Sequence, residues 1–177
     1  MRRRPAGHHG DDMTGRDSDS HDTAGIFRDR ADAGRRLGAY LSARLIAGLV
    51  ADRARPQGSP AVVLGLARGG LPVAAEVAAA IEAPLDVLVV RKLGAPSQPE
   101  FAFGAIAENE ATFVNAATVD ALGLAPGDID RVLQRERAET TRRILSYRGN
   151  RPLAGVRGRH VVLVDDGLAT GATMRAA

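Results

Sequence analysis

The chain has 177 residues, 24 of them Lys or Arg against 21 Asp or Glu, for a net charge of +3, and it has no cysteine or tryptophan. That length defaults to one domain with room for a proper core. The missing thiols exclude disulfides, thiolate chemistry and cysteine-based zinc sites, and no apolar stretch approaches the length of a membrane span.

Residues 1–25 are Arg, His, Gly, Asp and Ser with almost nothing apolar, which predicts a disordered tail ahead of a folded domain over 26–177. His8-His9 beside Asp11-Asp12, and the run Arg2-Arg3-Arg4, read as solvated tail residues, because nothing there fixes a ligand geometry. From Ile26 the pattern changes. Phe27, Ala31, Leu37, Leu41, Leu45 and Leu49 recur at roughly helical spacing and predict an amphipathic helix to about Ala51. Pro56-Gln57-Gly58-Ser59-Pro60 then stops it.

Ala61–Leu66 reads as a buried strand, followed by Ala67-Arg68-Gly69-Gly70 and a helix over Leu71–Ile81 with Pro72 in its first turn. Taken alone, this glycine turn is a weak signal. No Gly-Lys-Ser/Thr follows, so it is not a Walker A loop, and a close-packed β–α turn reads equally well. Leu85–Val90 is the next buried strand, with Arg91-Lys92 directly after it. Lys92 is the only lysine in a chain that otherwise uses arginine. Strand carboxyl ends are where open α/β sheets gather ligands.

Ala95-Pro96-Ser97-Gln98-Pro99-Glu100 predicts a mobile loop. Two β segments follow, Phe101–Ala107 and Ala111–Asn115, turning at Glu108-Asn109-Glu110. Pro126 to about Tyr147 predicts a second amphipathic helix, with Ile129, Val132, Leu133, Ile144 and Leu145 on one face. Its Arg131, Arg135, Arg137, Arg142 and Arg143 read as a solvated, ion-paired side rather than a nucleic-acid stripe.

The most specific stretch is Val161-Val162-Leu163-Val164-Asp165-Asp166-Gly167-Leu168-Ala169-Thr170-Gly171-Ala172-Thr173. Four apolar residues end in two carboxylates, and a Gly- and Thr-rich turn leads into Met174-Arg175-Ala176-Ala177, which can open a helix. Freed backbone N–H groups can converge on an anion there, aided by the Thr170 and Thr173 hydroxyls. Adjacent carboxylates would repel a bare phosphate. They make sense if the ligand also offers donors such as sugar hydroxyls, or a bridging Mg²⁺, which implies a phosphorylated sugar.

This stretch resembles the phosphoribosyl-diphosphate (PRPP) binding motif of type I phosphoribosyltransferases at every position from Val161 to Thr173. The resemblance implies an α/β fold, a mostly parallel central sheet flanked by helices, with a flexible-loop β hairpin that closes over PRPP. It implies transfer of phosphoribosyl from PRPP to a nucleobase-like acceptor with release of pyrophosphate. Asp165 and Asp166 would hold the ribose hydroxyls. Leu168, Ala169, Thr170, Gly171, Ala172 and Thr173 would hold the 5′-phosphate, while Ala67, Arg68, Gly69, Gly70, Arg91 and Lys92 would hold the diphosphate. The loop after the first strand often carries a non-proline cis peptide in this family. Mg²⁺ would arrive with PRPP, bound largely by the ligand's own oxygens.

Ala169 stands where enzymes acting on 6-oxopurines place an aspartate, so the loop looks more like the adenine type. The chain ends just after Thr173, whereas family members continue through the motif helix and a further strand, so the expected domain is C-terminally incomplete. A cytoplasmic protein is expected, with PRPP and an unidentified acceptor as its small-molecule partners and no membrane attachment. A homo-oligomer is left open. The basic composition motivates a rival reading, a PRPP-sensing regulator that binds nucleic acid without efficient catalysis. Another sugar-phosphate binder, such as a phosphotransferase, would need a nucleophile or a Walker lysine that the chain does not place.

Overall fold

The structure is a computed structural model that describes residues 27–51, 61–168 and 171–177. The expected tail over 1–25, the turn at Pro56–Pro60, Ala169, Thr170 and the side chains of Leu45 and Leu49 lie outside the described residues. Along the chain the elements are α1 (Arg30–Ala51), β1 (Ala61–Leu66), α2 (Gly70–Ala80), β2 (Leu85–Leu88), β3 (Val90–Ala95), β4 (Gln98–Ala107), β5 (Thr112–Val114), α3 (Ala116–Ala121), α4 (Pro126–Arg148), β6 (His160–Val164) and α5 (Ala172–Ala176).

β1 is the middle strand of a parallel sheet ordered β2-β1-β6. Its run Val62-Val63-Leu64-Gly65-Leu66 is unbroken by polar residues because both of its faces are covered. On one face Val63 packs against Val73, Ala74, Val77 and Ala78 of α2, with Leu41 of α1 beside them. On the other, Val62, Leu64 and Leu66 meet Ala105 and Ala107 of β4 and Ala172 and Ala176 of α5. The fold class is therefore the expected one, a parallel sheet flanked by helices. A second, antiparallel sheet ordered β3-β4-β5 is added to it. α4 packs on that sheet, where Val132 joins Leu93, Phe103 and Ile106.

The strand expected over Leu85–Val90 changes sheets partway. β2 ends at Leu88, the Val89 carbonyl accepts the Glu108 N–H at 3.0 Å, and β3 begins at Val90 in the antiparallel sheet. Leu88, Val89 and Val90 are all buried, so hydrophobicity gives no sign of the switch. Residues 95–100 also differ from expectation, forming a two-residue turn at Pro96-Ser97 within a β3–β4 hairpin rather than an irregular loop. The register slips between Gly94↔Ala102 and Ala95↔Gln98, which leaves Pro99 in a bulge where it need not donate to the ladder.

Asp86 of β2 is 2% exposed, and it anchors the connection between α4 and β6. Its carboxylate accepts from the Arg151 guanidinium at 2.7 and 3.1 Å and from the Ala154 N–H at 2.8 Å. Burial, the largest single influence, would raise this carboxyl; the Arg151 pair and the Val87 and Ala154 N–H groups together outweigh it and hold Asp86 below the usual carboxylate range. The folded chain therefore takes up this proton less readily than the unfolded chain. Asp86 contributes its full stabilisation above the unfolded-state value of about 3.9, and that contribution is lost as pH falls through the lower folded value. Urea midpoints followed from neutral pH into acid should fall accordingly. Asp86→Asn should be the less stable chain at neutral pH and should flatten that acid limb.

Candidate active site

Because β1 and β6 are parallel neighbours, with Gly65 opposite Val164, the segments following them emerge side by side at one sheet edge. Their contact is close. A Cβ on Gly69 would stand 2.2 Å from an Asp166 carboxylate oxygen, and one on Gly70 would stand 2.6 Å from the Val164 carbonyl. Only glycine lets these loops touch. The Ala67–Arg68 peptide between β1 and this contact is cis. Gly70→Ala should cost about 1–3 kcal/mol in urea unfolding, since backbone atoms cannot step aside. Gly69→Ala should cost less and act mainly by displacing the Asp166 side chain.

A cavity of about 860 Å³ opens over this edge. Ala67, Arg68, Gly69, Arg91, Lys92, Asp165, Asp166, Gly171, Ala172 and Thr173 all line it. Gly171 takes φ 73°, the left-handed conformation that favours glycine, and so turns the chain into α5. Two expected site residues stand elsewhere: Gly70 is buried under the β6 backbone, and Leu168 is 70% exposed outside the cavity lining. Ala169 and Thr170 are outside the described residues.

The two acidic residues differ in their surroundings. Burial raises the Asp165 carboxyl above its usual value, and the neighbouring Asp166 carboxylate adds to this; the Asp166 N–H, at 2.9 Å, and the Lys92 ammonium oppose it. Asp166 is held below its usual value first by the Arg30 guanidinium, which donates from Nε at 2.8 Å. The pair thus titrates apart, as neighbouring carboxyls do when their environments differ. Asp165 gives up its proton reluctantly, while Asp166 stays ionised.

The cations expected at the diphosphate end also part company. Arg91 is bound to the buried Glu136 of α4, with Nε at 2.9 Å and a terminal nitrogen at 2.8 Å, while Arg135 holds the other Glu136 oxygen at 3.0 Å. Lys92, the next residue of the strand, lies on the Asp165 side. Residues that motif reading passed over complete the cavity: Glu100, Phe101 and Ala102 of β4, and Arg135, Glu136 and Arg143 of α4. Glu136 follows the buried Val132 by four positions, a spacing that could have flagged it. Arg131 and Arg142 meanwhile pair with Asp128 and Glu139 on their own helix, as a solvated face would, whereas Arg143 shares Glu139 but is half-buried beside the cavity.

Fold and site together define an α/β protein of the strand–loop–helix kind, with two glycine-containing turns and paired carboxylates gathered at one sheet edge. The chain belongs to the phosphoribosyltransferase family: the family model described as phosphoribosyl transferase domain matches residues 37–177. Proteins named "Putative phosphoribosyl transferase" from the Mycobacterium tuberculosis strains CDC 1551 and H37Rv are each 47% identical to it over 152 residues, covering 86% of this chain. The chain spans about a third, 32%, of the length of these relatives. The crystal structure of TT1426 from Thermus thermophilus is 42% identical, with a TM-score of 0.57, over 85% of this chain and 65% of that one. No helix among the described residues is long and apolar enough to cross a membrane.

Proposed function

We propose that the chain binds PRPP and transfers its phosphoribosyl group to a nucleobase-like nitrogen acceptor, releasing pyrophosphate. The observation that carries this reading is the adjacency of the two loops. β1 and β6 deliver the segment 67–69, the acidic pair and the turn 171–173 to one cavity, so one ligand with phosphate at one end and diphosphate at the other can span them.

In this reading the backbone N–H groups of Gly171–Thr173 and the Thr173 hydroxyl hold the 5′-phosphate. Asp165 and Asp166 take the ribose hydroxyls and favour positive charge on the ring as the bond to diphosphate stretches. Arg68 and Lys92 face the departing diphosphate, and Arg91 is a supporting charge held by Glu136. Mg²⁺ would enter with the ligand, and the Asp165 and Asp166 carboxylates in the cavity lining are oxygen groups of the kind that ion takes. When bound, it supplies charge neutralisation to the leaving group. The protein's own work is placement, because an activated ribosyl centre needs alignment and protection from water rather than a covalent nucleophile.

Calorimetric titration of the chain with Mg²⁺ and PRPP tests the reading, followed by an acceptor screen that detects released pyrophosphate. Micromolar binding and acceptor-dependent release would support it. A folded chain that binds no PRPP would refute it.

A further inference from the structure

We propose that Arg30 is the positioning residue of the acidic pair: from the first turn of α1 it grips one oxygen of Asp166 and so presents an ionised, oriented carboxylate to the sugar. The inference rests on the sugar-phosphate reading above and adds to it a residue that no local motif contains.

Geometry carries the argument. Asp29 accepts the Asp32 N–H at 2.7 Å and caps the start of α1, which sets the place of the first helical residue, Arg30. From there its Nε and a terminal nitrogen reach Asp166 Oδ2 at 2.8 and 2.7 Å, across 136 positions of sequence. The neighbouring arginines are committed differently, with Arg28 and Arg36 on Asp32 and Arg35 between Glu76 and Asp32. Among the described residues Arg30 is the only cation paired with the motif carboxylates, and both of its contacts fall on the same oxygen. Lys92 of β3, which lines the same cavity, acts on Asp165.

This arrangement answers a difficulty raised by the sequence. Two adjacent carboxylates beside a phosphate cradle should repel the ligand they serve. Arg30 paired with Asp166, and Lys92 acting on Asp165, offset that negative charge, so a phosphorylated sugar meets a polarised row rather than a bare acidic one. The Arg30 side chain is 60% exposed and that of Asp166 30%, and ion pairs so open to water contribute little to stability. The consequence of the contact therefore lies in ligand binding.

The test compares wild type, Arg30→Ala and Arg30→Lys in three measurements. Melting temperature should be nearly unchanged in both variants. Affinity for PRPP with Mg²⁺ should fall about tenfold in Arg30→Ala, the loss of one charge-assisted hydrogen-bonded contact, and recover in large part in Arg30→Lys. In the ligand-free protein, the carboxyl-carbon NMR titration of Asp166 should move to higher pH in Arg30→Ala, with Asp165 and Lys92 still in place. PRPP affinity equal in wild type and Arg30→Ala would overturn the proposal and leave the functional reading standing. If wild type binds no PRPP, the functional reading falls and the NMR titration decides the grip of Arg30 on Asp166 by itself. An unmoved Asp166 midpoint overturns that grip, and an upward shift upholds it.

Discussion

Asp165→Asn and Asp166→Asn should each disable the site, by different routes, and the double variant should bind no measurable PRPP. Asp165 is the more enclosed carboxyl, raised by burial and by its neighbour's charge. Asparagine keeps its shape and hydrogen-bonding capacity but carries no negative charge to oppose the positive charge growing on the ribose ring. Losses of preorganised electrostatic partners of this kind run to about 10²–10³ in turnover, with much less change in ground-state affinity. Asp166 is the ionised member, matched to Arg30. Removing its charge leaves the Arg30 guanidinium without its partner and takes away a ribose-hydroxyl acceptor, so the larger effect should fall on PRPP affinity. Calorimetry and pyrophosphate-release kinetics on the same three variants separate the two outcomes. Equal losses in both parameters for both single variants would refute this division of labour. A pH profile gives a further check: Asp165 protonates first as pH falls, so the acid limb of activity should lie above the ordinary carboxylate range and should be lost in Asp165→Asn.

What the sequence disclosed and what it hid follow from the range over which each signal acts. Ala61–Leu66, its glycine turn and α2 were legible because an apolar run, a breaker and a helical repeat are all local patterns. The motif strand and its acidic pair were legible for the same reason. The change of sheet at Val89 was not, because Leu88, Val89 and Val90 are buried on both sides of it and only the choice of strand partner changes. Nor was the hairpin over 95–100, where proline suggested a loop and a bulge accommodates it instead. The last part of α4 misled in the opposite sense. Leu145 was expected on the apolar face and is 54% exposed, while the face turned inward from Val132 onward carries Glu136, Thr140 and Arg148. A stripe of polar residues has no hydrophobic period to read. Its logic lies in partners brought together by the tertiary fold, and the same holds for Arg30 and Asp166.

Arg148→Ala should be the most destabilising single change at any ion pair in the described structure. Arg148 ends α4, and its two terminal nitrogens meet Glu108 in the β4–β5 turn at 2.7 and 2.8 Å; one of them also donates to the Val87 carbonyl at 2.7 Å. The two side chains are only 4% and 5% exposed, which sets this pair apart from the arginine–carboxylate contacts along the open face of α4. Truncating the arginine leaves a carboxylate buried with no counter-charge and a carbonyl without its donor. Breaking a buried pair from one side costs about 3–5 kcal/mol, several times what an exposed pair is worth. Urea denaturation of Arg148→Ala should show that loss, and Glu108→Gln should show less, because the amide keeps an acceptor for the guanidinium. The combination Arg148→Met with Glu108→Leu removes both charges and fills much of the same volume, so it should regain most of the stability. If Arg148→Ala instead stays within about 1 kcal/mol of wild type, as for an exposed pair, water reaches Glu108 in solution and the junction between α4 and the β4–β5 turn is open. The cavity lies partly between α4 and β4, so Arg148→Ala should also weaken PRPP binding, and the double apolar variant should restore binding and stability together.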